Sequence, residues 1–465
     1  MYYNLKKEYS LKGWKKFSAV LMKYNYIIRV LDKDEFNLLM FCDGQTDFAE
    51  IEDLLSENQK NFLKEIFEKG IIEKTNYPNP IAENQLYKYY NNRFVSSFLW
   101  SITGRCNYHC RHCYMDAPDA ALGELSHEEA MDLVDQIADC GGLKIDITGG
   151  EPFVRKDFWD IVDYINSKGI IIGQIYTNGY LLNEKTLDEF EKRHMRPMFS
   201  LSFDGLKWHD WMRRFDGAEE AAIKALKLCK ERKFPTNVEM CLHKGNVKTL
   251  PETINFLGQL LTDGIKIGSV SASELWLKNG EGMDMSMKEY TEAAIEYIPQ
   301  FFKDGMPADL LIGGIIDLRQ GKKEFEIIPE RFGSKKHALN CHLCGAIRNS
   351  CYITPEGRIA PCLPMTEYKD QTIFPKFQEK GLKNILDDSD YMNFVDKRIK
   401  DLIAENKECA ECPYVLKCGG GCRASALNKT GNLMGKDPDQ CFLFKNGYVD
   451  KIRKTAEDAV KKYCK

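Results

Sequence analysis

The middle of the chain alternates short apolar runs with amphipathic segments. Runs such as "LKIDIT" and "IIIGQIYT" have the length and the β-branched content of buried strands. Between them, segments such as "SHEEAMDLVDQIADC" repeat apolar residues three and four positions apart, which is typical of a helix with one buried face. About six strand–helix units fill residues 95–310. They predict an α/β fold, a partial (β/α)6 TIM-like barrel whose active site lies at the carboxyl ends of its strands.

The first 80 residues have a pattern of their own. "SAVLMKYNYIIRVL" predicts strands, and "DKDEFNLLMFC" predicts a helix. "FAEIEDLL" and "SENQKNFLKEIFEKG" predict two more helices, the second with Ser56 as its N-cap and Gly70 at its end. With the short strand "IIEKTNY", residues 1–80 predict a winged-helix-like module, which "YPNPIAENQ" links to the barrel.

The remainder is cysteine-rich over residues 341–441, and residues 442–465 predict a closing helix. The chain of 465 residues has a net charge of −4, which gives no reason to expect nucleic acid as a partner. No run approaches the roughly 18 apolar residues of a membrane span, so no membrane contact is expected. The first residues lack the apolar core of a signal peptide, so a cytoplasmic location is expected.

The chain has 17 cysteines, and most of them fall into three clusters, at 106–113, 341–362 and 409–441. In a reducing compartment, clustered cysteines usually bind metal rather than form disulfides. The first cluster, "CNYHCRHC", places Cys106, Cys110 and Cys113 directly after a predicted strand. With His109 or His112 as a fourth ligand it would be a structural zinc site. Alternatively, three thiolates hold a 4Fe–4S cluster and leave one iron open.

Polar and glycine-rich motifs follow the next predicted strands. "ITGGEPF" ends the second strand, "YTNG" the third and "SLSFDG" the fourth. Each motif alone is weak, because Asn-Gly and Gly-Gly are common in turns. Together they lie at the successive strand ends where barrel folds hold ligands. The candidate ligand-binding residues are Gly149, Gly150, Glu151, Thr177, Asn178 and Ser202.

Four successive predicted strands are followed by the motifs CxxxCxxC, GGEP, TNG and SxDG. With these motifs, residues 95–310 resemble the radical S-adenosylmethionine (radical SAM) enzymes. The resemblance implies that Cys106, Cys110 and Cys113 hold a 4Fe–4S cluster. Its open iron would chelate S-adenosylmethionine, and a 5′-deoxyadenosyl radical would take a hydrogen from the substrate. The resemblance also implies an electron donor such as flavodoxin or ferredoxin.

The same resemblance implies contacts to S-adenosylmethionine. Gly149 to Glu151 are expected to face its amino group and Ser202 to lie near its ribose, with Thr177 and Asn178 in the same site. Arg213, in "HDWMRR", either pairs with its carboxylate or forms a structural ion pair.

The cysteine-rich region contains "CGAIRNSCYITPEGRIAPC", then "CAECPYVLKCGGGC", and finally Cys441. This pattern resembles the SPASM extension of radical SAM enzymes, which carries two auxiliary 4Fe–4S clusters. Three clusters are therefore expected in all. A zinc ribbon is the alternative. Cys341 is surplus to the pattern. The implied ligands are Cys344, Cys351, Cys362 and Cys422 for one auxiliary cluster, and Cys409, Cys412, Cys418 and Cys441 for the other.

The pattern of residues 1–80 is similar to small domains that bind the leader of ribosomally made peptides; the alternative is a module that only packs. The predicted function is therefore an oxidative crosslink, thioether or carbon–carbon, in a precursor peptide. Peptide epimerisation, small-molecule or cofactor-forming chemistry, and a zinc-binding winged-helix regulator are the alternatives. No residue stands out as a general base. In SPASM sulfatase-maturing enzymes an aspartate directly after the GxxxxC cysteine acts as the base, whereas here Leu363 follows Cys362.

Overall fold

The computed structural model describes residues 1–115, 117, 122–260, 263–271, 273–321, 324–331 and 333–464. The N-terminal unit contains two small sheets and three helices. Its elements are β1 (Tyr2–Leu5), β2 (Tyr9–Trp14), β3 (Val20–Lys23), β4 (Tyr26–Val30), α1 (Lys33–Met40), α2 (Phe48–Ile51), α3 (Glu57–Glu68), β5 (Ile72–Thr75) and β6 (Lys88–Tyr90).

The larger sheet of this unit has the strand order β4-β3-β2-β6, and β1 pairs with β5 in a separate antiparallel ladder. β6 lies beyond the predicted linker and joins the sheet parallel to β2. The predicted N-cap at Ser56 is confirmed: its side chain accepts a hydrogen bond from the Gln59 amide, and the Gln59 side chain bonds back. "FAEIEDLL" forms the short helix α2 and a 3-10 turn rather than one longer helix.

The central region repeats strand and helix along the chain. Its elements are β7 (Ser97–Ser101), α4 (His127–Asp139), β8 (Lys144–Thr148), α5 (Phe158–Ser167), β9 (Ile171–Thr177), α6 (Glu184–Lys192), β10 (Met198–Ser202), α7 (His209–Arg213), α8 (Ala218–Glu231), β11 (Thr236–Leu242), α9 (Leu250–Leu260), β12 (Gly264–Ser269), α10 (Glu274–Asn279), α11 (Met287–Lys303), β13 (Asp309–Ile312), β14 (Ile316–Arg319) and β15 (Glu324–Ile327).

Strands β7 to β13 lie side by side in chain order, and each neighbouring pair is parallel. The six predicted strands are β7 to β12, so the alternating pattern gave the parallel part of the sheet correctly. β13 adds a seventh parallel strand, and β14 and β15 extend that edge antiparallel. The sheet is open, because its outermost described strands do not pair with each other.

The cysteine-rich region adds two strands and many short helices. Its elements are α12 (Lys335–Asn340), β16 (Ser350–Ile353), β17 (Ile359–Ala360), α13 (Phe377–Lys380), α14 (Leu382–Asp387), α15 (Ser389–Val395), α16 (Ile399–Glu405), α17 (Lys407–Ala410), α18 (Val415–Cys418), α19 (Arg423–Thr430), α20 (Pro438–Lys445) and α21 (Tyr448–Tyr463).

β16 joins the central sheet directly. It pairs parallel with β7, and β17 continues antiparallel from it, which makes a sheet of 11 strands. At the other end, the predicted closing helix α21 packs against α11, and the Tyr448 hydroxyl donates to Glu292 at 2.8 Å. Among the described helices, none combines the length and apolar content that a bilayer crossing requires.

Trp14 anchors the N-terminal unit on the barrel. Its ring is fully buried, stacks on Tyr90 and meets the edge of Phe94. Its indole N–H donates to the Cys140 carbonyl at 3.1 Å. A side chain at Gly141 would collide with this indole, since a Cβ there would lie 2.7 Å from Trp14 Nε1.

We expect Trp14→Ala to lower the free energy of unfolding by about 3–5 kcal/mol, because it empties a buried aromatic site and removes one of the two side-chain hydrogen bonds to the Cys140 carbonyl. Tyr26→Ala is the matched control: Tyr26 lies on β4 and is 70% exposed. Denaturant unfolding followed by circular dichroism measures both, and equal losses in the two variants would contradict the anchoring role.

Candidate active site

A cavity of about 720 Å³ opens at the carboxyl ends of the parallel strands. Strands β7 to β12 form one part of its wall, and β16 with the segment that follows it forms another. The strand-end motifs therefore meet where the fold places ligands.

Three thiols line this cavity from the loop after β7. Cys106, Cys110 and Cys113 are free, and the Cys106 sulfur interacts electrostatically with the other two. Burial raises the pKa of Cys106 to about 12, and it also raises the pKa of Cys110. A bound cation reverses this preference, since metal-ligating thiols are deprotonated. Three thiols around one cavity fit an iron–sulfur cluster.

Gly149 and Gly150 line the cavity where two loops approach closely. A Cβ on Gly150 would lie 2.1 Å from the Arg105 carbonyl oxygen, and one on Gly149 would lie 2.6 Å from that of Thr103. Only glycine permits this approach. The GGEP loop can therefore lie against the thiol loop, with its backbone facing the cavity.

Glu151 faces away from the cavity and holds the loops together. Its buried carboxylate accepts hydrogen bonds from the Asn178 amide at 2.8 Å and the Thr177 hydroxyl at 2.9 Å. The Asn178 side chain in turn donates to Asn107 in the thiol loop at 2.8 Å. Burial raises the pKa of Glu151 to about 7, while these donors favour its charged form. Thr177, Asn178 and Ser202 line the cavity, and Glu151 positions the first two through these hydrogen bonds.

Arg213 forms the structural ion pair that the sequence offered as one of two alternatives. Its Nε lies 2.7 Å from Asp204 Oδ2. Burial alone would raise the pKa of Asp204, but Arg213 and His209 hold it well below its usual range. Arg213 also lines the cavity and points Nη1 at the Cys110 sulfur, 3.8 Å away. The guanidinium thus places a fixed positive charge beside the thiol loop.

A second group of thiols surrounds a small pocket in the cysteine-rich region. Electrostatic interactions link Cys409 with Cys441 and Cys412, and Cys418 with Cys441 and Cys409. All four are free thiols, and all four line the same pocket. Four thiols are a complete set of ligands for a closed cluster or a zinc ion.

Two family models match this chain. That of the radical SAM superfamily covers residues 100–257, and that of the SPASM iron–sulfur cluster-binding domain covers residues 344–413. The chain is a radical SAM enzyme with a SPASM domain. S-adenosylmethionine and iron–sulfur clusters are accordingly its cofactors, and the zinc-binding regulator is excluded.

Relatives of this radical SAM enzyme differ in what they make. Fe-coproporphyrin III synthase of Methanosarcina barkeri is 28% identical over 371 residues, which span 76% of this chain and 89% of the relative. The subtilosin biosynthesis protein AlbA of Bacillus subtilis is 27% identical over 350 residues, which span 71% of this chain and 67% of that protein.

The fold has a solved counterpart of nearly the same extent. Streptococcus suis SuiB, in a crystal structure with its precursor peptide SuiA, superposes with a TM-score of 0.66. The match covers 94% of this chain and 99% of SuiB at 15% sequence identity. At that identity the likeness establishes the fold.

The third thiol group of the radical SAM/SPASM enzyme contains three of the four residues expected in it. Cys362 interacts electrostatically with Cys422 and Cys344, and Cys422 interacts with Cys344. Cys351 lines the same cavity as Cys362, but the electrostatic neighbours of its sulfur are other groups. Its electrostatic neighbours are the Arg93 guanidinium, the Cys140 thiol and the Tyr391 hydroxyl.

Strand alternation accounts for the position of Cys351. Successive side chains of a strand point to opposite faces. On β16, Tyr352 points inward and bonds the Ser101 hydroxyl at 2.7 Å. Cys351 and Ile353 are buried in the core under the outer helices. The Cys351 sulfur is therefore buried at the margin of the cavity, apart from the three thiols that interact with one another.

Two groups in the cavity wall were not predicted. On β11, Val238, Met240 and Leu242 are buried, while Glu239 and Cys241 line the cavity. Apolar and other residues alternate in "TNVEMCL", and this alternation could have indicated that Glu239 and Cys241 lie on the opposite face from the core. The other is Glu367, in the segment after Cys362. No periodic pattern surrounds it, so nothing in the sequence marks it.

We expect Cys351→Ala to keep the full iron content of reconstituted enzyme, because its sulfur lies among core residues. Cys362→Ala is the comparison and should lose up to about four irons, one cluster. Iron and sulfide analysis with electron paramagnetic resonance measures both. An equal loss from Cys351→Ala would mean that this thiol is a ligand.

Proposed function

We propose that this radical SAM/SPASM enzyme forms an oxidative crosslink, thioether or carbon–carbon, within a ribosomally made precursor peptide. The observation that carries the proposal is an exposed apolar edge strand on a folded unit separate from the barrel. A small-molecule enzyme has no need of such a strand, whereas a peptide substrate can pair with it.

The edge strand is β4. Among the described strands it pairs only with β3, so its other side is free. Tyr26, Ile28 and Val30 project from one face and are 70%, 44% and 54% exposed. The Leu31 amide donates inward to Ala19, so by antiparallel alternation the Val30 N–H points outward. A leader peptide that adds a strand here gains backbone hydrogen bonds and apolar contacts.

Three clusters complete the proposal. Cys106, Cys110 and Cys113 would hold the radical cluster, and Cys409, Cys412, Cys418 and Cys441 a closed auxiliary cluster. Cys344, Cys362 and Cys422 would hold the cluster nearest the substrate cavity, since Cys362 is part of its wall. The remaining residues of the S-adenosylmethionine site would be Gly149, Gly150, Thr177, Asn178, Ser202 and Arg213.

When bound, these cofactors supply a 5′-deoxyadenosyl radical and an acceptor for one electron. The residues of the chain bind and orient these cofactors. The glycine backbone leaves room for the cofactor, Arg213 keeps a fixed positive charge beside the thiol loop, and Glu151 fixes the loops. A flavodoxin or ferredoxin would deliver electrons, in the reducing cytoplasm where free thiols persist.

A tetrapyrrole substrate is the second candidate, because a coproporphyrin synthase is among the relatives. Such a substrate carries several carboxylates and would need free cations. The cavity cations among the described residues are already paired, Lys266 with Glu239 at 2.9 Å and Arg213 with Asp204. This charge distribution favours the peptide.

The reaction type is tested by the mass of the product. With a precursor peptide encoded beside the enzyme, S-adenosylmethionine and a reductant, we expect a peptide lighter by two hydrogen atoms. An unchanged mass with one deuterium gained from D2O would identify an epimerase instead. Turnover of a carboxylate-bearing tetrapyrrole, with the peptide left unmodified, would favour the second candidate.

Leader binding is tested at β4. The double variant Ile28→Asp/Val30→Asp should weaken leader binding at least about tenfold, or about 1.4 kcal/mol, because it places charge along the docking strand. S-adenosylmethionine cleavage without peptide should be unchanged. Leu54→Asp is the matched control, since Leu54 is 80% exposed on the same unit but lies off β4. Equal leader affinity for wild type and double variant in titration calorimetry would exclude this edge.

A further inference from the structure

The described cavity wall carries three carboxylates, and one of them differs from the others. Asp146 lies 2.9 Å from the Lys144 ammonium, and Glu239 lies 2.9 Å from that of Lys266. Glu367 accepts a hydrogen bond from the Ser271 hydroxyl at 2.8 Å. Among the residues that the structure describes, no cationic side chain pairs with it. Glu367 therefore differs from Asp146 and Glu239 because its partner is a hydroxyl group and not an ammonium group.

Glu367 sits where the SPASM domain meets the barrel. It ends the 3-10 helix Leu363–Glu367, which starts directly after Cys362. The Cys362 sulfur interacts electrostatically with its carboxylate. Ser271, on the other side, follows β12 of the barrel. Glu367 is exposed and lines the cavity that a substrate would occupy.

The surroundings of Glu367 suit a proton acceptor. Its partial burial in the wall raises its pKa, and the hydrogen bond from Ser271 acts in the opposite direction. The cations of the described cavity wall, Lys266 and Arg213, already have carboxylate partners, so neither of them pairs with Glu367. A carboxylate held by an ammonium stays ionised and is a weak base, whereas one without that partner accepts protons nearer neutral pH.

We propose that Glu367 is the base that takes the proton from the peptide group that forms the new bond. The inference rests on the proposed crosslink. When a carbon and a group X–H join as C–X, two hydrogens leave the peptide. The carbon-bound hydrogen leaves as an atom to the 5′-deoxyadenosyl radical, and the X-bound hydrogen leaves as a proton to a carboxylate oxygen of Glu367. An iron–sulfur cluster held by the SPASM thiols would accept the remaining electron.

The test compares two rates in the same holoenzyme, with the precursor peptide as substrate. Glu367→Gln should keep 5′-deoxyadenosine formation within about twofold of wild type and lower crosslinked product by about 10²–10⁴-fold, the usual contribution of a positioned base. Glu367→Asp should recover part of the product. Iron content and leader affinity should match wild type, which excludes misfolding.

Glu356→Gln is the matched control. Glu356 belongs to the same domain but pairs with Arg358 and Lys376, each at 2.9 Å, and does not line the cavity. It should form product at the wild-type rate.

The dependence of product formation on pH provides a readout that a structural role would not change. In wild type the rate should rise with pH as Glu367 loses its proton, and this rise should be absent in Glu367→Gln. Ser271→Ala removes a donor that favours the charged carboxylate, so the pKa of Glu367 rises and the same increase should shift to higher pH.

Product at the wild-type rate from Glu367→Gln would overturn the inference. So would a parallel loss of product and 5′-deoxyadenosine, which would mean that Glu367 supports the radical site instead. Failure of the proposed function appears separately, because wild-type enzyme would then give no crosslinked peptide. Failure of the base assignment appears in a wild-type enzyme that crosslinks, together with either of these two results for Glu367→Gln.

Discussion

The parallel pairing of β16 with β7 is the contact on which the arrangement of the active site depends. β7 leads into the loop with Cys106, and β16 leads into the segment with Cys362. Neighbouring strands lie about 4.8 Å apart, so this pairing sets the separation between the radical site and the SPASM thiols. The inward hydroxyls of Ser101 and Tyr352 bond across it at 2.7 Å. Without β16 the cavity would lack the wall that carries Glu367.

The loops at the strand ends are fixed by one another rather than by a cofactor. The buried Glu151 carboxylate joins the GGEP loop to Thr177 and Asn178, and Asn178 reaches the thiol loop at Asn107. A network whose members satisfy one another is rigid, and a charge left buried without its donors is costly. The geometry of the cofactor site is therefore preorganised by the protein chain itself.

The sequence predicted the parallel strands because their apolar runs are long and bounded by helices with clear periodicity. It missed β13, β14 and β15, which have only four residues each, too few for a period to be visible. The resemblance to SPASM domains grouped Cys409, Cys412, Cys418 and Cys441, and these four thiols line one pocket. That they ligate a cluster stays a prediction. The same resemblance carried Cys351 over from the SPASM pattern, and a pattern of spacings cannot tell which face of a strand a side chain occupies. Glu367 depends on a contact between distant segments, which no local pattern records.

The distance in sequence between β7 and β16 has a consequence for how the enzyme is made. The Ser96 hydroxyl and the Asn349 carbonyl, which meet beside this pairing, are separated by 253 residues. As the ribosome extends the chain, the barrel is complete before β16 has been synthesised. During that interval β7 is an unpaired edge of the sheet, and the loop with Cys106 has no SPASM wall beside it. The cellular machinery that assembles clusters can therefore reach the radical site before the last wall of the cavity closes.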